Sequence, residues 1–193
     1  IRSSETIGGL AGSIGTFAIL DAGALTMRNA NLTFSGIISG GGGITRTNFD
    51  ATARVSTITN KNTYTGPTTI TTNGVNFMGN RFDVYHLADG ASSLGNAAND
   101  ASNLVINTNT GAGGLRYLGF TDQATSRLFT IGSGTSAANI WADGTVIGTT
   151  APKIEFTNPG AIAFAGAANS TQTLVLRGQA ITDNLFAPQL TNN

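Results

Sequence analysis

Short apolar segments recur about every 7 to 13 residues along the whole chain. Many of them alternate apolar and polar positions, as in Leu25-Thr26-Met27 and Ile154-Glu155-Phe156. Because successive side chains of a β-strand point to opposite faces, this alternation predicts strands with one buried face. The predicted strands cover residues 17–20, 25–27, 32–34, 55–58, 75–77, 82–87, 104–106, 115–118, 128–131, 140–141, 153–156, 162–164 and 174–176.

Turns that contain glycine separate these segments, and many short strands at even spacing are typical of a sandwich, a barrel or a solenoid. The spacing persists from end to end, the strands are very short, and few charges are present to protect the edges of an open sheet. These three features favour a solenoid and leave a sandwich as the second choice. Coils of roughly 20 to 25 residues would give about eight or nine coils. The turns lie at 40–43, 73–74, 89–90, 111–114, 143–144 and 159–160.

The composition also favours an all-β fold. Only 10% of the 193 residues are charged, against about 25% in an ordinary globular domain, and 26 are glycine. Thr, Asn, Ser and Gly replace the missing charges, and all four have low helix propensity. Disorder is rejected because Ile, Leu, Val and Phe are spread evenly along the chain, whereas disordered segments are depleted in them.

Several functional classes are disfavoured by the same counts. Ten basic and ten acidic residues give a formal net charge of +0, which argues against a nucleic-acid partner. The chain has no cysteine and a single histidine, so disulfides, thiolate metal sites and sites with two imidazoles are excluded. No apolar run reaches the roughly 18 residues of a membrane-spanning helix. The N-terminus carries neither a start methionine nor a signal peptide, so we expect a mature, trimmed or partial chain.

A family resemblance appears in two neighbouring stretches. Residues 32–47, LTFSGIISGGGGITRT, resemble the opening of the autotransporter-associated β-strand repeat. The Asn-x-Tyr-x-Gly-x-Thr box of that family is matched by residues 62–68. The chain departs from the family pattern at Arg46, where Lys is usual, at 48–52, where a Gly-x-Gly turn is usual, and at Pro67, where Gly is common. Further segments that resemble companions of this repeat are 7–12, 102–106, 114–117, 127–132, 156–163 and 173–178.

The resemblance implies a right-handed parallel β-helix in an exported surface protein of a Gram-negative bacterium. We therefore expect residues 1–193 to form a single β-helix segment of a longer tandem-repeat array. In such coils, residues 40–43 would turn corners and Pro67 would occupy a corner or the first position of a strand. Tyr64 would stack between coils with its hydroxyl directed to water. Asn62, Asn73 and Asn103 would lie at corners, and Thr and Asn ladders would satisfy polar groups between coils.

Candidate chemistry in the sequence is sparse. His86 lies between Asp83 and Asp89 and could be a general base oriented by a carboxylate, although an odd spacing puts Asp83 and His86 on opposite faces of a strand. Residues 40–43 lack the following helix and Lys-Ser/Thr pair of a phosphate cradle. Trp141 and Tyr117 could stack on a sugar or simply pack between coils. The carboxylates that a polysaccharide-cleaving site would need are scattered, at Asp83, Asp89, Asp100, Asp122 and Glu155.

We therefore predict no catalytic residue, no cofactor site and no metal site. The expected function is that of a non-enzymatic, structural and adhesive segment at the cell surface or outside the cell. Its expected partners are adjacent repeats or neighbouring copies, which it would meet through open β-helix ends, together with glycans or host and biofilm surfaces. A carbohydrate-binding or polysaccharide-cleaving β-helix is the main alternative, and a trimeric phage or secreted fibre is a third.

Overall fold

The computed structural model describes residues 1–28, 30–48, 52–72, 80–108, 113–132, 137–167, 169–180 and 183–191. Within them the fold is all-β, with a single three-residue 3-10 turn at Ala101–Asn103. The strands are β1 (Glu5–Ile7), β2 (Phe17–Ile19), β3 (Leu25–Arg28), β4 (Leu32–Phe34), β5 (Ile37–Ser39), β6 (Ile44–Asn48), β7 (Arg54–Ile58), β8 (Thr68–Thr72), β9 (Asn80–Val84), β10 (Leu104–Asn107), β11 (Gly114–Tyr117), β12 (Gln123–Thr125), β13 (Thr130–Ile131), β14 (Ala137–Ala142), β15 (Ile154–Phe156), β16 (Ala163–Phe164), β17 (Thr173–Gly178) and β18 (Leu185–Phe186).

The strands form parallel sheets that the chain visits in rotation. The first sheet has the order β1-β3-β6-β8-β10-β13-β16, and the second has the order β4-β7-β9-β11-β14-β17. Two shorter sheets, β2-β5 and β12-β15-β18, take the third position of the cycle, as in β10, β11, β12 and then β13. This topology is consistent with a β-helix or another β-solenoid. The longest sheet has seven strands among the described residues, which does not confirm eight or nine coils.

Parallel pairing places equivalent side chains in columns. In the first sheet Leu25 pairs with Ile44, Ile44 with Thr68, and Thr68 with Leu104, and all four are at most 1% exposed. Burying one Leu or Ile side chain contributes about 1.5–3 kcal/mol. The alternation seen in the sequence thus becomes an apolar interior that is continuous from strand to strand.

One column contains a charged residue. Arg46 lies in register between Met27 and Ile70, and its side chain is fully buried. Its Nη1 donates hydrogen bonds to the carbonyl oxygens of Met27, at 3.3 Å, and of Thr47. The basic residue of the repeat motif is therefore an interior residue, and it donates hydrogen bonds to backbone carbonyls of its own and the preceding strand.

The predicted environment of Tyr64 is wrong. Its side chain is fully buried, and its hydroxyl hydrogen-bonds the Thr68 Oγ1 at 2.6 Å. The reason is the long connection between β9 and β10, which packs over the ring. A Cβ at Gly95 of this connection would lie 2.8 Å from the Tyr64 ring.

Buried Asn62 supports the expected polar links between coils. Its Oδ1 accepts from the backbone N–H of Ile38 at 2.8 Å, and its Nδ2 donates to the carbonyl of Ser93 at 3.4 Å. Asn103 lies in the 3-10 turn and donates to the carbonyl of Ala98 at 3.0 Å. Asn73, the predicted strand at 75–77 and most of the 48–52 corner lie outside the described residues.

Glycine is required where neighbouring coils approach each other just before the chain enters strand β6 of the first sheet. Gly40 adopts φ +105, as expected at a corner. A Cβ on Gly42 would collide with the backbone of Gly23 and lie 2.9 Å from the Leu20 Cβ. Pro67 directly precedes β8, as predicted, and its carbonyl accepts from the Ile44 N–H at 2.9 Å.

A substitution at Gly42 tests this close approach. We expect Gly42→Ala to lower the free energy of unfolding by about 1–3 kcal/mol, because the added methyl group forces neighbouring coils apart. Gly8→Ala is the matched control. Among the described residues its Cβ would meet the Arg28 carbonyl oxygen alone, at 3.9 Å, so the change in stability should be less than about 0.5 kcal/mol. Urea unfolding followed by circular dichroism measures both, and equal effects would contradict the stacking requirement.

Candidate binding surface

The outer face of the second sheet carries a mixed row of polar and aromatic side chains. Thr57 pairs with Asp83, Asp83 with Arg116, Arg116 with Trp141, and Trp141 with Arg177. We call these five residues the outer row. Because the pairing is in register, residues far apart in sequence become neighbours along one side of the molecule.

Ion pairs link the middle of the outer row. Asp83 accepts from the Arg81 Nε at 2.7 Å and lies 3.9 Å from the Arg116 Nη1. The Arg116 Nε also lies 2.7 Å from the Asp143 Oδ2. Burial raises the pKa of Asp83, and the two arginines only partly offset that increase. Desolvation therefore outweighs ion pairing at this carboxylate.

The two aromatic candidates of this region have different environments. Trp141 lies half-exposed in the outer row, and the Arg177 guanidinium carbon lies 5.2 Å from its ring centroid. A Cβ on Gly114 would come within 2.9 Å of the same ring, so the indole lies close against the sheet. Tyr117 is buried, and its hydroxyl donates to the carbonyl of Thr121. Arg177 thus covers Trp141, and Tyr117 has no face open to a sugar.

A second surface feature lies at the corner where the chain leaves the second sheet. Thr59 follows β7, Tyr85 and His86 follow β9, and Phe120 and Thr121 follow β11. Together they line a cleft of about 300 Å³, which we call the corner cleft. No motif in the sequence indicates it. The local signal is the apolar Phe120, which follows the predicted strand at 115–118.

The His86 imidazole lines this cleft, and both neighbouring carboxylates have other partners. Asp83 is held by Arg81 and Arg116, whereas the Asp89 Oδ1 accepts from the Thr125 Oγ1 at 2.9 Å. Burial and, to a smaller degree, the charge of Lys61 lower the pKa of His86 below its usual 6.5. The imidazole is therefore neutral at pH 7.

Each of the remaining scattered carboxylates has a local structural partner. Asp100 caps the 3-10 turn and accepts from the Ser102 N–H at 2.8 Å. The Asp122 Oδ1 accepts from the Lys153 N–H at 3.0 Å, and Glu155 pairs with the Lys153 Nζ at 2.7 Å. Asp122 and Glu155 therefore share Lys153 as a partner, and each of the three carboxylates is held by a hydrogen bond or an ion pair.

Three further kinds of feature are a phosphate cradle, a metal site and a membrane-spanning helix. Residues 40–43 lead directly into β6, a strand, and not into a helix. Among the residues described, no group of three or more His, Asp and Glu side chains is arranged to hold a metal ion. Within those same ranges, no helix has the length and hydropathy to cross a bilayer.

A cavity lies beside the last strands of the described part of the chain. Phe156, Leu176, Leu185 and Phe186 line a cavity of about 360 Å³ beside β17 and β18. Leu176 is 50% exposed and Leu185 is 46% exposed. A different apolar patch lies on the outer face of β2, where Phe17 is 71% exposed.

Stacked parallel strands, an apolar interior and a polar outer face make this an all-β protein whose architecture is consistent with a β-helix or another β-solenoid. The chain is 36% identical over 187 residues to the adhesin BmaC autotransporter of Brucella suis biovar 1 (strain 1330). The matched region covers 94% of this chain and 5% of the adhesin. The chain therefore resembles autotransporter proteins, which confirms the resemblance inferred from the repeat motifs. No family model matches the chain, and no solved structure matches it.

The raised pKa of Asp83 predicts the direction in which stability changes with pH. We expect the free energy of unfolding of the wild type to increase relative to that of Asp83→Asn as the pH falls from neutrality towards 3.8, the ordinary Asp value. In that window the folded chain binds a proton at Asp83 more readily than the unfolded chain does, so protonation favours folding. Urea unfolding at a series of pH values measures the difference. A difference that decreases on acidification would show that the ion pairs dominate.

Proposed function

We propose that this chain is a stiff segment of a right-handed parallel β-helix in the passenger of a bacterial surface adhesin. The observation that carries the proposal is its 36% identity, over 94% of its length, to the adhesin BmaC autotransporter. Since the chain spans only 5% of that protein, we infer a place within a much longer array of coils. The segment then acts at the cell surface or outside the cell of a Gram-negative bacterium.

The mechanism is mechanical. Parallel ladders join each coil to the next along the axis, and the columns of buried side chains run in the same direction. Side-chain bonds between coils add to these ladders, as at Asn62, whose Oδ1 accepts from the Ile38 N–H at 2.8 Å. Bending the array would stretch such hydrogen bonds and open the apolar interior. These contacts support a rod that extends a binding surface away from the cell.

The same contacts support a non-enzymatic role. Asp83 is held by arginines, Asp89 by Thr125 and Ser126, and Asp100 by Ser102. A general acid or base needs a carboxyl or imidazole group within hydrogen-bond reach of a substrate. These bonds support structural roles for the three carboxylates.

Adhesion is tested with the intact chain. We expect beads coated with the folded chain to attach to epithelial cells or to a biofilm matrix several times more often than albumin-coated beads. Beads coated with an unrelated β-helix protein control for shape and surface composition. Attachment no higher than that control would contradict the adhesive role, and release of new reducing ends from cell-surface polysaccharides would contradict the non-enzymatic one.

We also infer that the open cavity beside β17 and β18 receives a further coil or a neighbouring copy. Its apolar lining, with Leu176 and Leu185 half-exposed, is the kind of surface that another apolar edge covers. The exposed backbone groups of the last strands would then pair along the axis. We propose with this a right-handed helix of about eight or nine coils.

A charge in the cavity tests this contact. We expect the wild-type chain to associate as its concentration rises and Leu185→Lys to weaken that association at least fivefold, because a buried lysine at the contact loses its hydration. Val146→Lys is the control, since Val146 is 49% exposed and lies outside the cavity lining. Sedimentation velocity measures both variants. A wild type that stays monomeric at every concentration would contradict association between copies.

A further inference from the structure

We propose that the corner cleft binds a pyranose ring of a surface glycan. The inference rests on the proposed adhesive function and names the chemical class that this surface recognises. The cleft is lined by Thr59, Tyr85, His86, Phe120 and Thr121. It combines an aromatic wall with hydroxyl and imidazole groups. A sugar ring has an apolar C–H face, which can pack on the aromatic wall, and hydroxyl groups, which can hydrogen-bond the polar groups.

The aromatic wall is open to solvent. Phe120 is 53% exposed although it is a large apolar side chain. Its ring centroid lies 5.6 Å from that of Tyr85, with 57° between the ring planes. Two rings at this angle form a shallow apolar corner rather than a closed stack. The C–H face of a pyranose can pack into such a corner while the hydroxyl groups at the ring edge remain free to hydrogen-bond.

The Thr59 hydroxyl group has unused hydrogen-bonding capacity, whereas the Thr121 hydroxyl group is held in a local network. The Thr121 Oγ1 accepts from the Gln123 Nε2 at 3.1 Å, and the Thr121 side chain also hydrogen-bonds the Tyr117 hydroxyl. The Thr59 Oγ1 donates to the Ser35 Oγ at 2.8 Å, so its remaining lone pair can accept. A sugar hydroxyl can donate a hydrogen bond to this oxygen of Thr59.

Tyr85 and His86 add two more groups. Their backbone N–H groups are bound to the Ser93 Oγ, at 3.3 and 3.1 Å. Within the described part of the chain, neither the Tyr85 hydroxyl nor the His86 ring hydrogen-bonds another residue. Because the neutral imidazole carries one donor and one acceptor, it can bind a hydroxyl group in either direction.

Contacts between coils hold the cleft in shape. A Cβ on Gly119 would collide with the Tyr85 carbonyl and the Tyr117 side chain, so glycine lets the Phe120 loop lie directly against Tyr85. On one side the Leu118 N–H donates to the Val84 carbonyl at 2.8 Å. On the other, the Thr145 Oγ1 donates to the Leu118 carbonyl at 2.8 Å. A cleft fixed in this way loses little conformational entropy when a ligand binds.

The experiment uses the whole chain and an array of neutral and acidic oligosaccharides, followed by calorimetry with the glycan that binds best. We expect Phe120→Ala to weaken binding at least tenfold, because it removes the exposed ring. Tyr85→Phe keeps the wall and should weaken binding two- to fivefold through the lost hydroxyl. Phe17→Ala is the matched control, since Phe17 is a more exposed ring, at 71%, on another face. Phe120→Leu repeats the test with an apolar side chain if the alanine variant does not fold.

The outcomes separate this inference from the adhesive function. Glycan binding that Phe120→Ala and Phe120→Leu leave unchanged would overturn the corner cleft as its location. A chain that attaches to cells but binds no glycan would overturn the inference and leave the adhesive function standing. Attachment that survives periodate treatment of the cells but not protease treatment would indicate a protein partner instead. A chain that neither attaches to cells nor binds a glycan would contradict both proposals.

Discussion

In-register parallel stacking is the constraint on which the rest of this structure depends. Each side chain lies against its equivalents in the preceding and following strands, so one residue determines the environment of two others. Apolar columns follow directly, as in Ile70, Ile106 and Ile131. Like charges in adjacent positions of a column would repel one another, whereas Thr and Asn can hydrogen-bond along it. The low charge of the chain is therefore suited to the fold.

Stacking also explains which polar groups can be buried. Arg46 and Tyr64 lie inside, and each reaches an oxygen atom of its own or an adjacent coil. Arg127 extends the same solution to the long β9–β10 connection. It is 2% exposed, and its Nη2 donates to the carbonyls of Gly90 and Gly95. A buried donor without such a partner would cost about 1–3 kcal/mol.

The repeat motifs and the alternating pattern predicted much of the fold. The strands β3, β10 and β15 lie where the apolar positions placed them, and Gly40 and Pro67 have their predicted roles at corners. The strand β8 was missed because its sequence, Thr-Thr-Ile-Thr-Thr, has a single apolar residue. Stacking against β6 and β10 stabilises it, and local periodicity contains no information about those neighbours.

The sequence by itself determined the all-β class, the alternation of buried and exposed faces, and the resemblance to autotransporter repeats. Each of these depends on residues close together in the chain. The tertiary structure alone decided that Tyr64 is buried, that Arg177 covers Trp141, and that Thr59, Tyr85 and Phe120 share one cleft. The physical reason is that the coils differ in length. Which residues meet across coils therefore depends on the register of the sheets, and no constant spacing in the sequence specifies it.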